Sequence, residues 1–170
     1  MPTIVRRAAP KSTEFSRALI RAWGNAMLEH LERSEAELSV LLTNDTTIQQ
    51  LNRDYRQKDR PTDVLSFHFD GQGGGAHLDG GWLLGDVVIS LDTAWRQAQG
   101  RKRTLEAEVR WLLAHGVLHL CGYDHATPEE KRAMVAVTRQ LVRTAKRAES
   151  GVPRRVLPAP TKRTRRRTTT

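Results

Sequence analysis

The sequence has little of several residue types, and each shortage excludes a class of protein. The chain has one cysteine, Cys121, which rules out a disulfide framework and fits a reducing cytoplasm. No stretch approaches about eighteen consecutive apolar residues, so we expect no membrane span and no membrane partner. The first fifteen residues lack the apolar segment of a secretory signal, and we expect none. Together these shortages predict a globular protein of the cytoplasm.

The excess of positive charge lies mostly at the C-terminal end of the chain. The sequence has 28 Lys and Arg against 19 Asp and Glu, a net charge of +9. Residues 151–170 contain seven basic residues and no acidic residue, which leaves a net +2 on residues 1–150. We therefore predict one domain over 1–150 and a disordered basic tail over 151–170. The tail either binds a polyanion such as nucleic acid or is a solvated segment that aids solubility.

Hydrophobic periodicity predicts five helices and three strands in the first 150 residues. Asp45 and Asp92 are the predicted N-caps of the second and third helices, and Thr127 forms a predicted capping box with Glu130 in front of the last. The order of elements favours an α+β fold: a single domain with a small mixed β-sheet and about five helices. The glycine-rich stretch 70–81 is predicted as a mobile loop without core residues, and as a plain hairpin connection rather than a catalytic lid. The predicted helices cover 13–32, 45–55, 92–99, 104–121 and 127–147, and the predicted strands cover 37–43, 64–69 and 83–91.

Three of the six histidines lie close together in the stretch HGVLHLCGYDH. His115 and His119 are four residues apart in a predicted helix, so their imidazoles lie on one face and can reach the same metal ion. Gly122 is predicted to end that helix, which lets the chain turn and bring His125 to the same point. Three neutral nitrogens leave a fourth position for water, as in catalytic zinc sites. The sequence therefore predicts one zinc ion per chain, bound on a central helix.

The same histidine spacing occurs in metzincin proteases, whose pattern is H-E-x-x-H-x-x-G-x-x-H. Gly116 stands where those proteases carry the glutamate that activates the metal-bound water. A metzincin-like peptidase is therefore an alternative that this difference argues against. Asp124 adjoins the third histidine, and we interpret it as a residue that orients a ligand or closes a turn.

The histidine stretch closely resembles the signature of the YbeY family of bacterial metal-dependent endoribonucleases, which act in ribosomal RNA maturation. LNRDYRQKDRPTDVLSF at 51–67 and LGDVVIS at 84–90 resemble two further motifs of that family. The resemblance covers roughly residues 37–147. His68 departs from the family, which usually has proline at this position. This histidine either replaces a packing residue or adds a polar group near the site.

The resemblance implies that His115, His119 and His125 bind zinc, and that a functional arginine corresponds to Arg56. A guanidinium suits this role because it is always charged and can bind two phosphate oxygens at once, where phosphodiester cleavage builds negative charge. Two further basic residues of the same loop, Lys58 and Arg60, either extend the phosphate contact or belong to a solvated loop.

The expected mechanism leaves the nucleophile open. Zinc would polarise a phosphate oxygen and lower the pKa of its bound water towards about 7. The attacking group is either that water or the 2′-hydroxyl of RNA, and only the second route gives a 2′,3′-cyclic phosphate. Asp86 is a candidate for structuring the site or for proton transfer, with pairing inside a strand turn as its alternative role.

The expected substrate is single-stranded ribosomal RNA, with a role in 16S rRNA 3′-end maturation and ribosome biogenesis that the resemblance implies. Aromatic residues make up only 5% of the chain, whereas single-stranded RNA normally stacks on aromatic rings. Tyr123 and His68 are possible stacking groups, while Trp23 and Trp111 are predicted to fill the core. We therefore expect backbone recognition with weak sequence preference, and specificity from a partner such as the ribosome or a ribosomal protein.

Two further alternatives belong to other functional classes. A non-catalytic, zinc-containing ribosome assembly factor would use the zinc for structure alone and would unfold when a ligand histidine is lost. A general metal-dependent hydrolase of small phosphoesters would act on a chromogenic phosphodiester. The family resemblance favours the RNA-cleaving enzyme, and these two remain its alternatives.

Overall fold

A computed structural model describes the chain at residues 3–7, 16–69, 76–78 and 81–152. These residues form five helices and five strands, which confirms the predicted α+β class with a small mixed sheet. A short 3₁₀ turn, Glu149–Gly151, follows the last helix. The elements along the chain are β1 (Ile4–Arg7), α1 (Arg17–His30), β2 (Ala36–Thr43), α2 (Asp45–Arg56), β3 (Val64–His68), β4 (Ala76–Leu78), β5 (Gly81–Ser90), α3 (Leu91–Gly100), α4 (Leu105–Leu120) and α5 (Pro128–Ala148).

The sheet is built around β5, which pairs with three other strands. Its order is β1-β2-β5-β3, and β4 also pairs with β5. Strands β1, β2 and β5 are parallel, whereas β3 and β4 run antiparallel to β5. Because β5 is covered on both faces, its run of Leu, Val and Ile residues is almost continuously buried from Leu84 to Ser90.

Two of these strands, β1 and β4, were not predicted. The prediction of a loop over 70–81 is therefore wrong for the residues of β4 and for Gly81. These residues form strands, and β4 pairs antiparallel with β5 so that Leu78 lies opposite Gly81. The Asp-Gly pair between these two residues is a recognised signal for a two-residue hairpin. Short strands such as these are stabilised by the partner strand, so their own sequence predicts them poorly.

Helices cover the sheet on two sides. The main core lies on the side of α1, α4 and α5, where Trp23, Val87 and Leu113 are fully buried. A smaller cluster on the opposite side joins Ile48 of α2 to Leu65 and Val88 of the sheet. Side chains alternate along β3 and β5, so neighbouring residues point to opposite faces of the sheet. One face meets the main core and the other meets the smaller cluster, and this determines which residues reach the site.

The structure confirms one predicted helix cap and corrects two others. Thr127 and Glu130 form the predicted capping box. The second helix is capped by Asn44, because its side chain accepts a hydrogen bond from the Thr47 amide at 2.9 Å, and Asp45 is already helical. The third helix is capped by Ser90 instead of Asp92. In both cases a capping side chain stands one or two residues before the acidic residue that was predicted.

Two expectations concern regions with little or no structural description. The predicted disorder of the basic tail falls almost entirely on residues 153–170, which lie outside the described residues. The predicted start of the first helix, at 13–15, also lies outside them. Within the described part of the chain, no helix has the length and apolar character needed to cross a membrane.

The close approach of α4 to the sheet predicts a cost for any side chain at Gly116. A Cβ atom added there would lie 2.7 Å from a Val87 methyl carbon. We expect Gly116→Ala to lower the free energy of unfolding by about 1–3 kcal/mol, because the branched Val87 side chain cannot move aside freely. Urea unfolding measures this loss.

The matched control is Gly100→Ala, where an added Cβ meets no atom within 4 Å. This variant should be no less stable than the wild-type protein, since alanine is the better helix former. A stable Gly116→Ala protein would show that the helix and the sheet have room to separate.

Candidate metal centre

Helix α4 carries the first two histidines and is the most deeply buried helix. Ten of its sixteen residues are buried. The absence of a side chain at Gly116 lets the helix backbone come close to the sheet, and the Ser66 hydroxyl donates a hydrogen bond to the Gly116 carbonyl at 3.0 Å. This contact fixes the rotation of the helix, so His115 and His119 lie half-buried along its edge.

A tight turn after α4 returns the chain towards the two helical histidines. Gly122 has φ +90°, a conformation that favours glycine. The Gly122 amide donates to the His119 carbonyl and the Tyr123 amide to the Leu118 carbonyl, both at 3.0 Å, which is the Schellman pattern at a helix C-terminus. The turn brings His125 back to the site, as the sequence predicts.

The three histidines lie close enough to share one ion. Their ligand nitrogens all lie within 4.8 Å of one another. The Nε2 atoms of His115 and His119 are 3.1 Å apart, and two nitrogens on one tetrahedral zinc ion lie about 3.3 Å apart. Three imidazoles are a donor set that zinc, copper, iron and nickel all accept. The residues therefore fit one divalent ion and leave a coordination position open.

Burial and mutual repulsion keep the first two histidines neutral. Burial and the neighbouring imidazoles lower the pKa of His115 from 6.5 to about 4. Burial and His125 lower the pKa of His119 as well, against a hydrogen bond to the Tyr123 backbone that raises it. Because a metal binds the neutral imidazole, both rings are ready to bind an ion at neutral pH without releasing a proton.

Arg56, the predicted phosphate-binding residue, lies in the same cleft as the histidines. The cleft has a volume of about 740 Å³. Arg56 is the last residue of α2, and its Nη2 donates to the Ser66 carbonyl at 3.0 Å. Gln57 then adopts a left-handed conformation, with φ 58°, and turns the chain into the basic loop. The position of Arg56 is therefore held by the end of its helix and by β3.

The structure separates the other basic residues of this loop. Lys58 lines the cleft, whereas Arg60 is not among the residues that line it. Instead the Arg60 carbonyl accepts a hydrogen bond from the buried Asn52 side chain at 2.8 Å. Lys58 is thus placed to meet a phosphate near Arg56, and the described role of Arg60 is to hold the shape of the loop.

His68 and Asp124 both lie at the site and help to shape it. His68 lines the cleft, and its Nε2 lies 2.9 Å from the His119 carbonyl. Since a carbonyl only accepts, His68 donates this hydrogen bond and adds a polar contact beneath a ligand residue. Asp124 accepts a hydrogen bond from the His125 amide at 2.7 Å, the turn contact that the sequence predicts.

Asp86 is not brought together with the histidines. It pairs with Phe67 in the antiparallel ladder, so both side chains lie on the face of the sheet opposite to Ser66. There Asp86 is exposed and lines a separate pocket with Tyr55. The proposed catalytic role of Asp86 therefore has no geometric support in the described residues.

Ser66 is a site residue that the sequence analysis missed. Its hydroxyl holds α4 and its carbonyl holds Arg56, as described above. A signal was present: the alternation in VLSFH places Ser66 as a polar residue on the face opposite to Leu65 and Phe67, which line the small cluster. A serine that points towards a buried helix needs a hydrogen-bond partner, and the Gly116 carbonyl is that partner.

The fold and the cleft together define an α+β domain with a three-histidine site for a metal and an arginine beside it. The profile of the family described as Endoribonuclease YbeY matches residues 6–146. The chain therefore belongs to the Endoribonuclease YbeY family.

Individual relatives agree with this assignment. A protein named Endoribonuclease YbeY from Anaeromyxobacter dehalogenans is 51% identical over 124 residues, 73% of this chain and 62% of the relative. A relative with the same name from Myxococcus xanthus is 46% identical, over 81% of this chain and 46% of the relative. Another from Aquifex aeolicus is 45% identical, over 72% of this chain and 79% of the relative. The chain thus spans only part of the length of the first two.

A solved structure resembles the fold. The solution structure of TM1509 from Thermotoga maritima is similar with a TM-score of 0.59, over 95% of this chain and 99% of that protein. The two sequences are 23% identical, so this similarity supports the fold alone.

The donor geometry predicts one divalent metal ion per chain, and zinc serves as the test ion. We expect His115→Ala, His119→Ala and His125→Ala each to lose most of the bound zinc, because two imidazoles hold the ion far less tightly than three. Metal analysis after dialysis against zinc measures the stoichiometry. His30→Ala is the control, because His30 lies on α1 and outside the site. Zinc retained in all three site variants would place the ion elsewhere.

The lowered pKa of His115 predicts that the metal-free protein loses stability as the pH falls from about 6.5 to about 4. In this interval the unfolded chain takes up a proton at His115 and the folded chain does not, so protonation favours unfolding. Urea unfolding in the presence of a chelator measures the effect. His115→Asn should flatten the pH dependence, whereas His30→Asn should leave it unchanged. An equal slope in His115→Asn would contradict the assignment.

Proposed function

We propose that this chain is a zinc-dependent endoribonuclease that cleaves single-stranded RNA. One observation carries the proposal: Arg56 and the three histidines line the same cleft. A phosphodiester needs both features, a Lewis acid at one oxygen and a fixed positive charge at another. The relatives named Endoribonuclease YbeY support the same reaction class.

The protein's own residues supply binding and orientation. A zinc ion held by the three histidines would supply Lewis-acid polarisation and would activate water near neutral pH. Arg56 binds the scissile phosphate, and its guanidinium stabilises the charge that builds on the nonbridging oxygens. Lys58, on the same wall, contacts a neighbouring phosphate. The attacking group is water or the RNA 2′-hydroxyl, and the end group of the product distinguishes the two.

We further propose that the substrate is ribosomal RNA, with the 3′ end of 16S rRNA as the processed region. The proposal includes a cytoplasmic location and contact with the ribosome or a ribosomal protein. The basic sequence of the last twenty residues supports an RNA partner, because clustered positive charge attracts the RNA backbone.

The metzincin-like alternative loses its structural basis at Gly116. An added Cβ at this position would lie 2.7 Å from a Val87 methyl carbon and 3.2 Å from the Ser66 hydroxyl oxygen. A glutamate there would collide with the sheet unless the helix moved away from it. The geometry thus explains why glycine stands at this position and favours a reaction other than peptide hydrolysis.

Substitution of Arg56 tests the function. We expect metal-loaded wild-type protein to cut a labelled single-stranded 16S rRNA fragment, and Arg56→Ala to cut it about 10²- to 10³-fold more slowly. The physical reason is the loss of charge stabilisation in the transition state. Single-turnover cleavage rates measure the effect, with zinc content and circular dichroism recorded on each preparation.

Arg53→Ala is the matched control. Arg53 lies three residues earlier on the same helix and pairs with Asp54 on the surface. Its loss should leave the cleavage rate unchanged. If folded, zinc-loaded wild-type protein binds the RNA and never cuts it, a non-catalytic assembly factor becomes the better description. Cleavage of a chromogenic phosphodiester but not of RNA would favour a general phosphoesterase.

A further inference from the structure

A second pocket lies beside the metal centre, between α4 and α5, and has no part in the proposed reaction. Its volume is about 330 Å³. Trp111 lines it from α4, and Met134 and Thr138 line it from α5. His115 and His125 border both this pocket and the cleft, so the pocket opens directly from the metal centre. The prediction that Trp111 fills the core is therefore only partly correct, because the ring is half-buried at a pocket wall.

We infer that this pocket binds the nucleobase next to the scissile phosphate, with Trp111 as the stacking residue. The inference rests on the proposed function, since it names a subsite for the same RNA. Trp111 precedes His115 by four residues, so both side chains project from one face of α4, about 6 Å apart along its axis. A nucleotide whose phosphate lies at the histidines can therefore place its base against the indole.

The interior of the pocket suits a flat aromatic ring rather than a phosphate. Met134 and Thr138 are 2% and 1% exposed, and the Thr138 hydroxyl already donates to the Met134 carbonyl at 2.7 Å. The Thr138 hydroxyl therefore offers no free donor for an anion. A volume near the lower limit of ligand pockets leaves room for about one base.

The charges around the pocket suit the RNA backbone. Lys131 is exposed and lines the pocket from the first turns of α5. The Arg103 guanidinium lies 5.6 Å from the centroid of the Trp111 ring and is paired with Glu108 at 3.6 Å, so Lys131 is the cation that faces the pocket. An apolar interior with a lysine beside it matches a base joined to a phosphate, and stacking on an aromatic ring accepts any of the four bases. The pocket therefore adds affinity with little sequence preference.

Binding and fluorescence test the inference without relying on cleavage. With zinc-loaded protein, we expect a short oligoadenylate to quench tryptophan fluorescence in wild type and Trp95→Phe but not in Trp111→Phe. Trp95 is the control because it is 50% exposed on α3. Trp111→Ala should raise the dissociation constant roughly 5- to 150-fold, the range for loss of one stacked base. Trp111→Phe should restore most of the affinity.

A second, exposed variant keeps the test valid if Trp111→Ala does not fold. Lys131→Gln should weaken binding. It should also reduce the slope of the logarithm of the affinity against the logarithm of the salt concentration by about 0.7, the value for one phosphate contact on a single strand. Lys146→Gln is the matched control, about 22 Å further along the same helix, and should bind like wild type.

An RNA with one abasic nucleotide locates the subsite. When the abasic nucleotide is moved along the substrate one position at a time, cleavage should be slowest for one position beside the cut. Trp111→Ala should remove this dependence on position.

Quenching that persists in Trp111→Phe, or unchanged affinity in both Trp111→Ala and Lys131→Gln, would overturn the inference. If no protein cuts RNA but binding still depends on Trp111, the proposed reaction fails and the base pocket stands.

Discussion

The site depends on one residue of the sheet, Ser66, which holds both of its halves. The Ser66 hydroxyl donates to the carbonyl of Gly116 in α4, and the Ser66 carbonyl accepts from the guanidinium of Arg56. The histidines come from α4 and the turn that follows it, on one side of the sheet, and the arginine comes from the end of α2, whose apolar residues pack on the other side. A single residue of β3 is therefore bonded both to the helix that carries His115 and His119 and to Arg56. Small movements of either helix are opposed because both are tied to the same strand.

The histidine site was predictable because its information is local. Helical spacing, a glycine stop and a third histidine all lie within eleven residues, and the structure reproduces each of them. Arg56 was predicted only through family resemblance, since nothing in its own loop distinguishes it from a solvated basic residue. Its place beside the histidines depends on the pairing of β3 with β5, which the sequence does not state.

The same limit explains what the sequence analysis missed. Strands β1 and β4 form because β2 and β5 offer them partners, and four or three residues carry too little pattern to predict them. Asp86 was assigned to the site on chemistry alone, whereas the register that pairs it with Phe67 directs it to the other face of the sheet. Trp111 looked like a core residue because periodicity shows which face of a helix is apolar and does not show whether that face meets a cavity.

The three histidines are close in sequence, whereas Arg56 is brought to them by the tertiary fold. Metal binding and formation of the complete cleft are therefore separate steps. His115, His119 and His125 lie within eleven residues of the sequence, so the proposed metal ligands stay near one another even in an unfolded chain. Any affinity of the unfolded chain subtracts from the stability that the ion confers on the fold. Arg56, in contrast, reaches the histidines only when the sheet is complete. Under the proposed function, folding therefore adds the phosphate-binding group to a set of metal ligands that is already local in the sequence.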